Sequence, residues 1–330
     1  MKTTKLGQTG PNTSRIGLGC MGMSDMYGPS DRTESIATIH SALDAGITLL
    51  DTGDFYGMGH NEMLIGEAVS GLSRDAYQLS VKFGAQRDPS GAWIGYDASP
   101  NALKTALTYT LKRLGVDHID IYRPARLDPK VPIEDTVGAI AEMVKAGYVR
   151  HIGLSEVGAD TIRKAASVHP IADLQIEYSL VSRGIEDKIL PVCRELGISI
   201  TAYGVLSRGL ISGHWDPSKV GQTDFRAHGP RFQGENMEKN LALAAALGRI
   251  AAAKGMTTAQ AAIAWVLAQG EDIVPVIGAR RRDRLAESLG SLDLELTQAD
   301  LEKIENAVPK GSASGTRYAE AMMSHLDSEK

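Results

Sequence analysis

The stretch "RIGLGCMGMSDMYGPSD", Arg15 to Asp31, contains a literal G-x-G-x-x-G at Gly17 to Gly22, and two architectures compete for it. In an open doubly wound sheet this pattern binds a dinucleotide, provided that its third glycine opens a helix whose N-terminus meets the pyrophosphate. Here "MSDMYGPSD" follows, with Gly28 and Pro29 interrupting it, and helical periodicity resumes only near Arg32. The fingerprint lacks its helix. The glycines are instead expected to let the backbone come close to a neighbouring strand or a ligand.

Outward from this point, short apolar, β-branched runs recur. They are Arg15 to Gly19, Ile47 to Asp51, Tyr77 to Phe83, His118 to Tyr122, Val149 to Ser155, Ala172 to Tyr178, Ile198 to Tyr203, and Ile273 to Ile277. Helical patterns lie between them. One carries Leu103, Ala106, Leu107, Thr110, Leu111 and Leu114 behind Ser99 as N-cap and Pro100 at the first helical position. Another, with Val137, Ile140, Ala141 and Val144, runs from Pro132 to Gly147. Strands that are apolar almost throughout read as a parallel sheet covered on both faces, and eight strand-helix repeats predict closure into a (β/α)8 TIM barrel. No linker interrupts the pattern, so residues 1–330 are expected to form one domain. Two stretches fall outside the alternation. Ser207 to Asn236 reads as a long loop after the seventh strand. In the tail from Leu292, Thr297 and Asp300 form a capping-box-like start to a helix carrying Leu301 and Ile304, and a last helical piece begins near Thr316.

Hydrophobic residues make up 43% and charged residues 23%, with a net charge of −5. That balance predicts no general attraction to nucleic acid or to an anionic membrane. Cys20 and Cys193 are far apart, without a CxxC or a nearby His, so neither a disulfide nor a metal site is expected. There is no apolar run of membrane-spanning length, and "MKTTKLGQTG" has no apolar stretch after its lysines. A cytoplasmic enzyme acting on a small molecule is expected, with a homo-oligomer left open.

In a (β/α)8 barrel the chemistry gathers at the strand C-termini. Asp51 and Tyr56 in "DTGDFYG", Lys82 in "SVKFG", Ser155 in "GLSE", Gln175 in "LQIEY" and Tyr203 in "TAYG" stand at such positions. Singly, each has a bland explanation as a cap, a solvated charge or half-buried packing. Their shared placement carries the functional reading.

These motifs, with "NEMLIGEAV", "DIYRPARLDPKVPIEDT", "YVRHIGLSE", "AYGVLSRGLISG" and "VIGARRRDRLAESLG", resemble the aldo-keto reductases in order and over nearly the whole chain. The resemblance implies a barrel without a separate dinucleotide domain, NADPH as cofactor, and reduction of an aldehyde or ketone. Tyr56 would be the proton donor, with Lys82 favouring its phenolate and Asp51 holding Lys82 charged. Ser155 and Gln175 would bind the nicotinamide carboxamide and Tyr203 would stack on the ring, while Glu156 stands where many members have Asn. Leu206, Ser207, Arg208 and Gly209 would close over the pyrophosphate. Gly278, Arg280, Arg284, Glu287 and Ser288 would hold the adenosine end, where Arg280, Arg281, Arg282 and Arg284, with no nearby acid for a ribose hydroxyl, favour a 2′-phosphate. Phe55, Trp93 and Ala125 would line the substrate pocket.

One departure stands out. In "YRPARLDP", Tyr122 to Pro129, the family's usual His is Ala125, followed by Arg126. Losing one such donor to the substrate oxygen costs on the order of 10² to 10³ in rate. Water, His60, Trp93 or a substrate hydroxyl are the candidates to replace it. A non-catalytic NADP-binding sensor on the same fold is the alternative function.

Overall fold

The computed structural model describes residues 1–24, 27–221 and 224–330. An antiparallel hairpin, β1 (Thr3–Lys5) and β2 (Asn12–Ser14), precedes the barrel. The parallel strands β3 (Gly17–Gly19), β4 (Leu49–Gly53) and β5 (Gln78–Phe83) come next. A second hairpin follows, β6 (Ala85–Arg87) with β7 (Trp93–Tyr96). The ring is completed by β8 (Ile119–Pro124), β9 (Val149–Ser155), β10 (Ile171–Glu177), β11 (Ser199–Tyr203) and β12 (Ile273–Gly278), with β12 pairing back onto β3. All eight sequence-predicted strands are in the closed barrel. Gly17 and Gly19 lie in β3, where an added Cβ would come within 3.0 Å of Leu49 and 3.1 Å of Val276. They serve close strand packing, and the dinucleotide fingerprint is a coincidence of spacing.

The surrounding helices are α1 (Arg32–Asp44), α2 (His60–Ala68), α3 (Pro100–Leu114), α4 (Ile133–Lys145), α5 (Ala159–Val168), α6 (Ile189–Leu196), α7 (Gly234–Ala253), α8 (Thr258–Ala268) and α9 (Arg282–Leu289). Two more, α10 (Gln298–Ala307) and the single turn α11 (Glu320–Met323), lie in the tail. No helix among the described residues is long and apolar enough to cross a membrane. The Thr297–Asp300 capping box is formed as the sequence predicts. Four local expectations are corrected. Ser99 precedes α3, but its side chain does not cap it; its amide donates to Asp97 instead. Pro132 precedes α4 rather than belonging to it, because its ψ of 137° is extended. The long loop after β11 ends at α7, which already includes Gly234; Gln222 and Thr223 of that loop, like Asp25 and Met26, lie outside the described residues. From Thr316 the tail is mostly irregular, with helix only at α11.

The barrel interior is layered. Leu6, immediately after β1, forms a floor with Leu49, Ile121 and Val274. Two residues further along their strands, where the same face recurs, Asp51 and Arg123 begin a polar layer. Arg123 Nη1 lies 2.9 Å from Asp173 Oδ2, and Thr201 donates to the same carboxylate. On its other side Arg123 Nη2 donates to Ser80 Oγ at 2.9 Å, and Ser80 donates to Asp51 Oδ2 at 2.8 Å. This row joins Asp173 to Asp51 through Arg123 and Ser80.

Candidate active site

Asp51 in β4 and Lys82 in β5 share adjacent strand ends, and Lys82 Nζ lies 2.5 Å from Asp51 Oδ1. Both side chains are buried. The second oxygen of Asp51 accepts from Ser80 and, at 2.6 Å, from Gln175 Nε2. Asp51 is therefore fixed from three directions, which also fixes Lys82. Burial pulls the Lys82 pKa down, and the charge of Asp51 offsets only part of that pull.

Beyond β4 the chain turns sharply. Gly57, Met58 and Gly59 all have left-handed φ, of 55°, 52° and 93°. Glycine tolerates this and methionine does not readily. The turn leaves Tyr56 buried, edge-on to Phe55 at 4.7 Å, with Lys82 Nζ 5.4 Å from its ring centroid. Burial and then the charge of Asp51 hold Tyr56 well above the ordinary tyrosine pKa, and Arg126 is the cation that opposes them. Lys82 itself faces the Asp51 carboxylate at 2.5 Å.

Ala125 is buried, and its amide donates to Phe83 O at 2.8 Å. Of the candidates to replace the missing imidazole, His60 is exposed, with Nδ1 2.9 Å from Ser24 Oγ. Trp93 is exposed as well, 5.6 Å from the Phe55 ring and 4.2 Å beneath the Arg87 guanidinium. Arg126, to which the sequence assigned no role, is half-buried, and its Nη1 donates to Ala125 O at 2.7 Å.

The expected cofactor positions divide into open and occupied ones. Ser155 Oγ and Ser207 Oγ are buried without a hydrogen-bond partner among the described residues. Gln175, expected at a carboxamide, has its amide on Asp51. Tyr203 is half-buried, and its hydroxyl donates to Glu156 Oε1 at 2.7 Å and lies 2.8 Å from Tyr318 Oη. Arg208 donates to Arg317 O at 3.0 Å and to Glu177 Oε2 at 3.1 Å, and stacks 4.4 Å from the Tyr318 ring centroid. Leu206 and Gly209 flank it, half-buried. The non-glycine residues with left-handed φ among those described are Met58, Glu156, Ser207 and Arg208. All four lie in loops at the strand C-termini, where backbone strain is characteristically kept for function.

Between α1 and the start of α9, a cavity of about 320 Å³ is lined by Pro29, Ser30, Asp31, Glu34, Arg280 and Arg281. Arg280 Nη1 donates to the carbonyls of Tyr27, Gly28 and Pro29 at 2.9, 3.3 and 3.1 Å. Gly278 is open, with nothing within 4 Å of an added Cβ. Arg284 pairs with Glu287 at 3.1 Å, Glu287 also meets His214, and Ser288 Oγ donates to Arg284 O. The expectation of guanidiniums without a nearby acid is corrected. Arg281 pairs with Asp283, and Arg282 with Glu34, whose Oε1 also accepts from the Arg282 amide at 2.9 Å. Glu34 sits on α1, nearly 250 residues away in sequence, and only closure of the ring brings it there.

The Aldo/keto reductase family model matches residues 15–309. The chain belongs to the aldo/keto reductase family. It is 42% identical over 321 residues to a probable aldo-keto reductase 1 of Glycine max, covering 96% of this chain and 92% of that one. A Schizosaccharomyces pombe aldo-keto reductase whose name carries NADP(+) is 40% identical over 309 residues, covering 92% and 91%. A solved glycerol dehydrogenase from Gluconobacter oxydans superposes with a TM-score of 0.84 at 28% identity, covering 92% of this chain and 94% of its own. A thermostable aldo-keto reductase bound to the inhibitor epalrestat gives 0.74 at 26% identity, covering 93% and 100%. In this family member the tail residues Arg317 and Tyr318 reach the strand ends of β9, β10 and β11. The sequence placed the tail near Tyr318 among the segments expected to set substrate choice but gave Arg317 no role, although Glu in place of Asn at position 156 was a cue that a cation had to be near.

Proposed function

We propose that the chain reduces an aldehyde or ketone to an alcohol with NADPH, using Tyr56 as proton donor supported by Lys82 and Asp51. The carrying observation is the buried Asp51–Lys82 pair beside Tyr56, at the same barrel end as two buried hydroxyls, Ser155 and Ser207, that have no hydrogen-bond partner among the described residues. Two unsatisfied buried hydroxyls fit a polar ligand that bonds to them. The relative named for NADP(+) supports the choice of cofactor.

When bound, the reduced nicotinamide supplies the hydride. The protein's own part is proton supply and charge. Burial keeps Tyr56 protonated at neutral pH, so it holds the proton a reduction needs until the carbonyl oxygen begins to gain negative charge. Proton transfer at that moment relieves the oxygen, while Arg126 and Lys82 stabilise the negative charge left on the phenol; such help is typically worth about 10² to 10⁴ in rate. Phe55, Trp93 and Ala125 form the substrate side, where the small Ala125 leaves room that an imidazole would take. Ser155, Tyr203, Ser207 and Arg208 would hold the nicotinamide and pyrophosphate, with Arg280 and Arg284 at the adenosine end.

The test is loss of NADPH absorbance with a panel of aldehydes, quinones, keto sugars and other ketones. Turnover that disappears in Tyr56→Phe supports the reading. Tight NADPH binding with no turnover across the panel would favour a non-catalytic binding role.

A further inference from the structure

Glu156 follows Ser155 at the end of β9 and is wholly buried. Its Oε1 accepts from Tyr203 Oη at 2.7 Å, from the Glu177 amide at 3.0 Å and from Arg317 Nη1 at 3.0 Å. Its Oε2 accepts from Arg317 Nη2 at 2.9 Å and from Ser328 Oγ at 2.7 Å. Arg317 thus grips the carboxylate with two parallel N–H bonds, the geometry in which a guanidinium binds most strongly. The same guanidinium reaches Glu177 Oε2 at 3.3 Å and Glu329 Oε1 at 2.5 Å. Glu177 also meets Arg208 at 3.1 Å and Arg231 at 3.6 Å. Three carboxylates, Glu156, Glu177 and Glu329, are therefore balanced by three guanidiniums, Arg208, Arg231 and Arg317. Burial alone would push Glu156 up, but Arg317 and the hydrogen bonds outweigh it and hold the carboxyl well below its usual range. It is an anion with its charge cancelled.

The position of that anion matters because the two forms of the cofactor differ in charge at the ring. Oxidised nicotinamide is a cation and reduced nicotinamide is neutral. We propose that Arg317 is a positioning residue which, by closing on Glu156 beside Ser155 and Tyr203, prevents the site from favouring the oxidised ring over the reduced one. This rests on the cofactor reading above. A tail that merely anchored the chain terminus would need no ion pair at this spot. The geometry instead spends a buried bidentate guanidinium on the one carboxylate that directly follows Ser155 and bonds the Tyr203 hydroxyl.

Equilibrium titration of full-length protein with NADPH and with NADP+ tests the proposal through the ratio of the two dissociation constants. An uncancelled charge several ångströms from a cation, at an effective dielectric near 20, corresponds to roughly tenfold to a hundredfold in affinity. Arg317→Met is expected to shift the ratio at least about tenfold towards NADP+. Arg317→Lys should retain most of the wild-type ratio, and Arg317→Met combined with Glu156→Gln should restore it. Glu156→Gln alone leaves a surplus cation and should shift the ratio the other way, which decides the matter if Arg317→Met does not fold. Both affinities falling together in Arg317→Met with the ratio unchanged, or the two single variants shifting it in the same direction, would overturn the proposal. If the wild-type protein binds neither dinucleotide, the cofactor reading itself fails.

Discussion

Asp54 lies between β4 and Tyr56, its amide donating to Lys82 O at 2.9 Å. Its Oδ1 is buried without a hydrogen-bond partner, and the fully buried Glu62 adds a second negative charge nearby. Burial first, and then Glu62, push the Asp54 carboxyl up to about 7 from 3.8. A carboxyl raised in the folded state binds its proton more tightly there than in the unfolded chain. Its contribution to stability is therefore fully present below the unfolded pKa and is lost as pH rises towards about 7. Between pH 5 and 8 the group passes through about two pH units of that window, which at about 1.4 kcal/mol each makes about 2.7 kcal/mol. Asp54→Asn keeps the shape and removes the titration. Urea unfolding of both proteins at the two pH values gives a difference of differences, in which any fixed cost of the new amide cancels. The variant should gain on the wild type by about 2–3 kcal/mol on going from pH 5 to pH 8. An equal gap between the two proteins at both pH values would show that Asp54 ionises as an ordinary surface carboxyl and would refute the reasoning.

Asp51→Asn removes the charge that holds Lys82 protonated in a buried site it shares with Arg123 and Arg126. It should lower kcat/KM for carbonyl reduction by about 10² to 10⁴ and move the alkaline limb of the pH profile to lower pH; a value within threefold of wild type would contradict the assignment. Ala125→His should shift selectivity towards small aldehydes as the imidazole fills the pocket, and unchanged relative kcat/KM across a size series would show that this position does not face substrate. Glu34→Gln releases Arg282 and removes an anion from the adenosine end. NADPH should bind several-fold more tightly with NADH little altered, read by titration, and parallel changes in both would place Glu34 away from the 2′-phosphate.

Legibility in the sequence followed the range of the interaction. The eight barrel strands declared themselves through continuous apolar runs, because a strand covered on both faces has no polar alternation to hide it. Asp51, Tyr56 and Lys82 were legible because each lies at or just beyond a strand end, and register alone makes them neighbours. The two hairpins outside the barrel were not: Trp93 and Ile94 are exposed, so β7 buries no face that would impose a pattern. Glu34 against Arg282, and Arg317 against Glu156, are invisible for a different reason. Each pair is made by ring closure or by the tail folding back, and a charge carries no mark of its distant partner.

The charges at the barrel mouth also revise the meaning of Ala125. Lys82 is matched by Asp51, Arg123 by Asp173, and Arg208, Arg231 and Arg317 by Glu156, Glu177 and Glu329. Among the described residues Arg126 has no carboxylate within ion-pair distance, and it is the neighbour of the missing imidazole. The sequence predicted a site short of a hydrogen-bond donor, whereas the structure has a site that keeps a positive charge there in place of an imidazole, with the Asp54 carboxyl, two residues before Tyr56, raised to about 7. An imidazole changes charge near pH 6.5 and a guanidinium does not change at all in the working range. His60 is exposed and turned towards Ser24. With the Asp54 carboxyl removed by Asp54→Asn, the kcat/KM profile for an uncharged aldehyde should therefore be flat between about pH 6 and 8. Introducing Ala125→His should create a limb near about 6.5, and a limb already present in the wild type, and abolished by His60→Ala, would show that the structure's assignment of Arg126 as the unmatched charge has the wrong residue at the substrate.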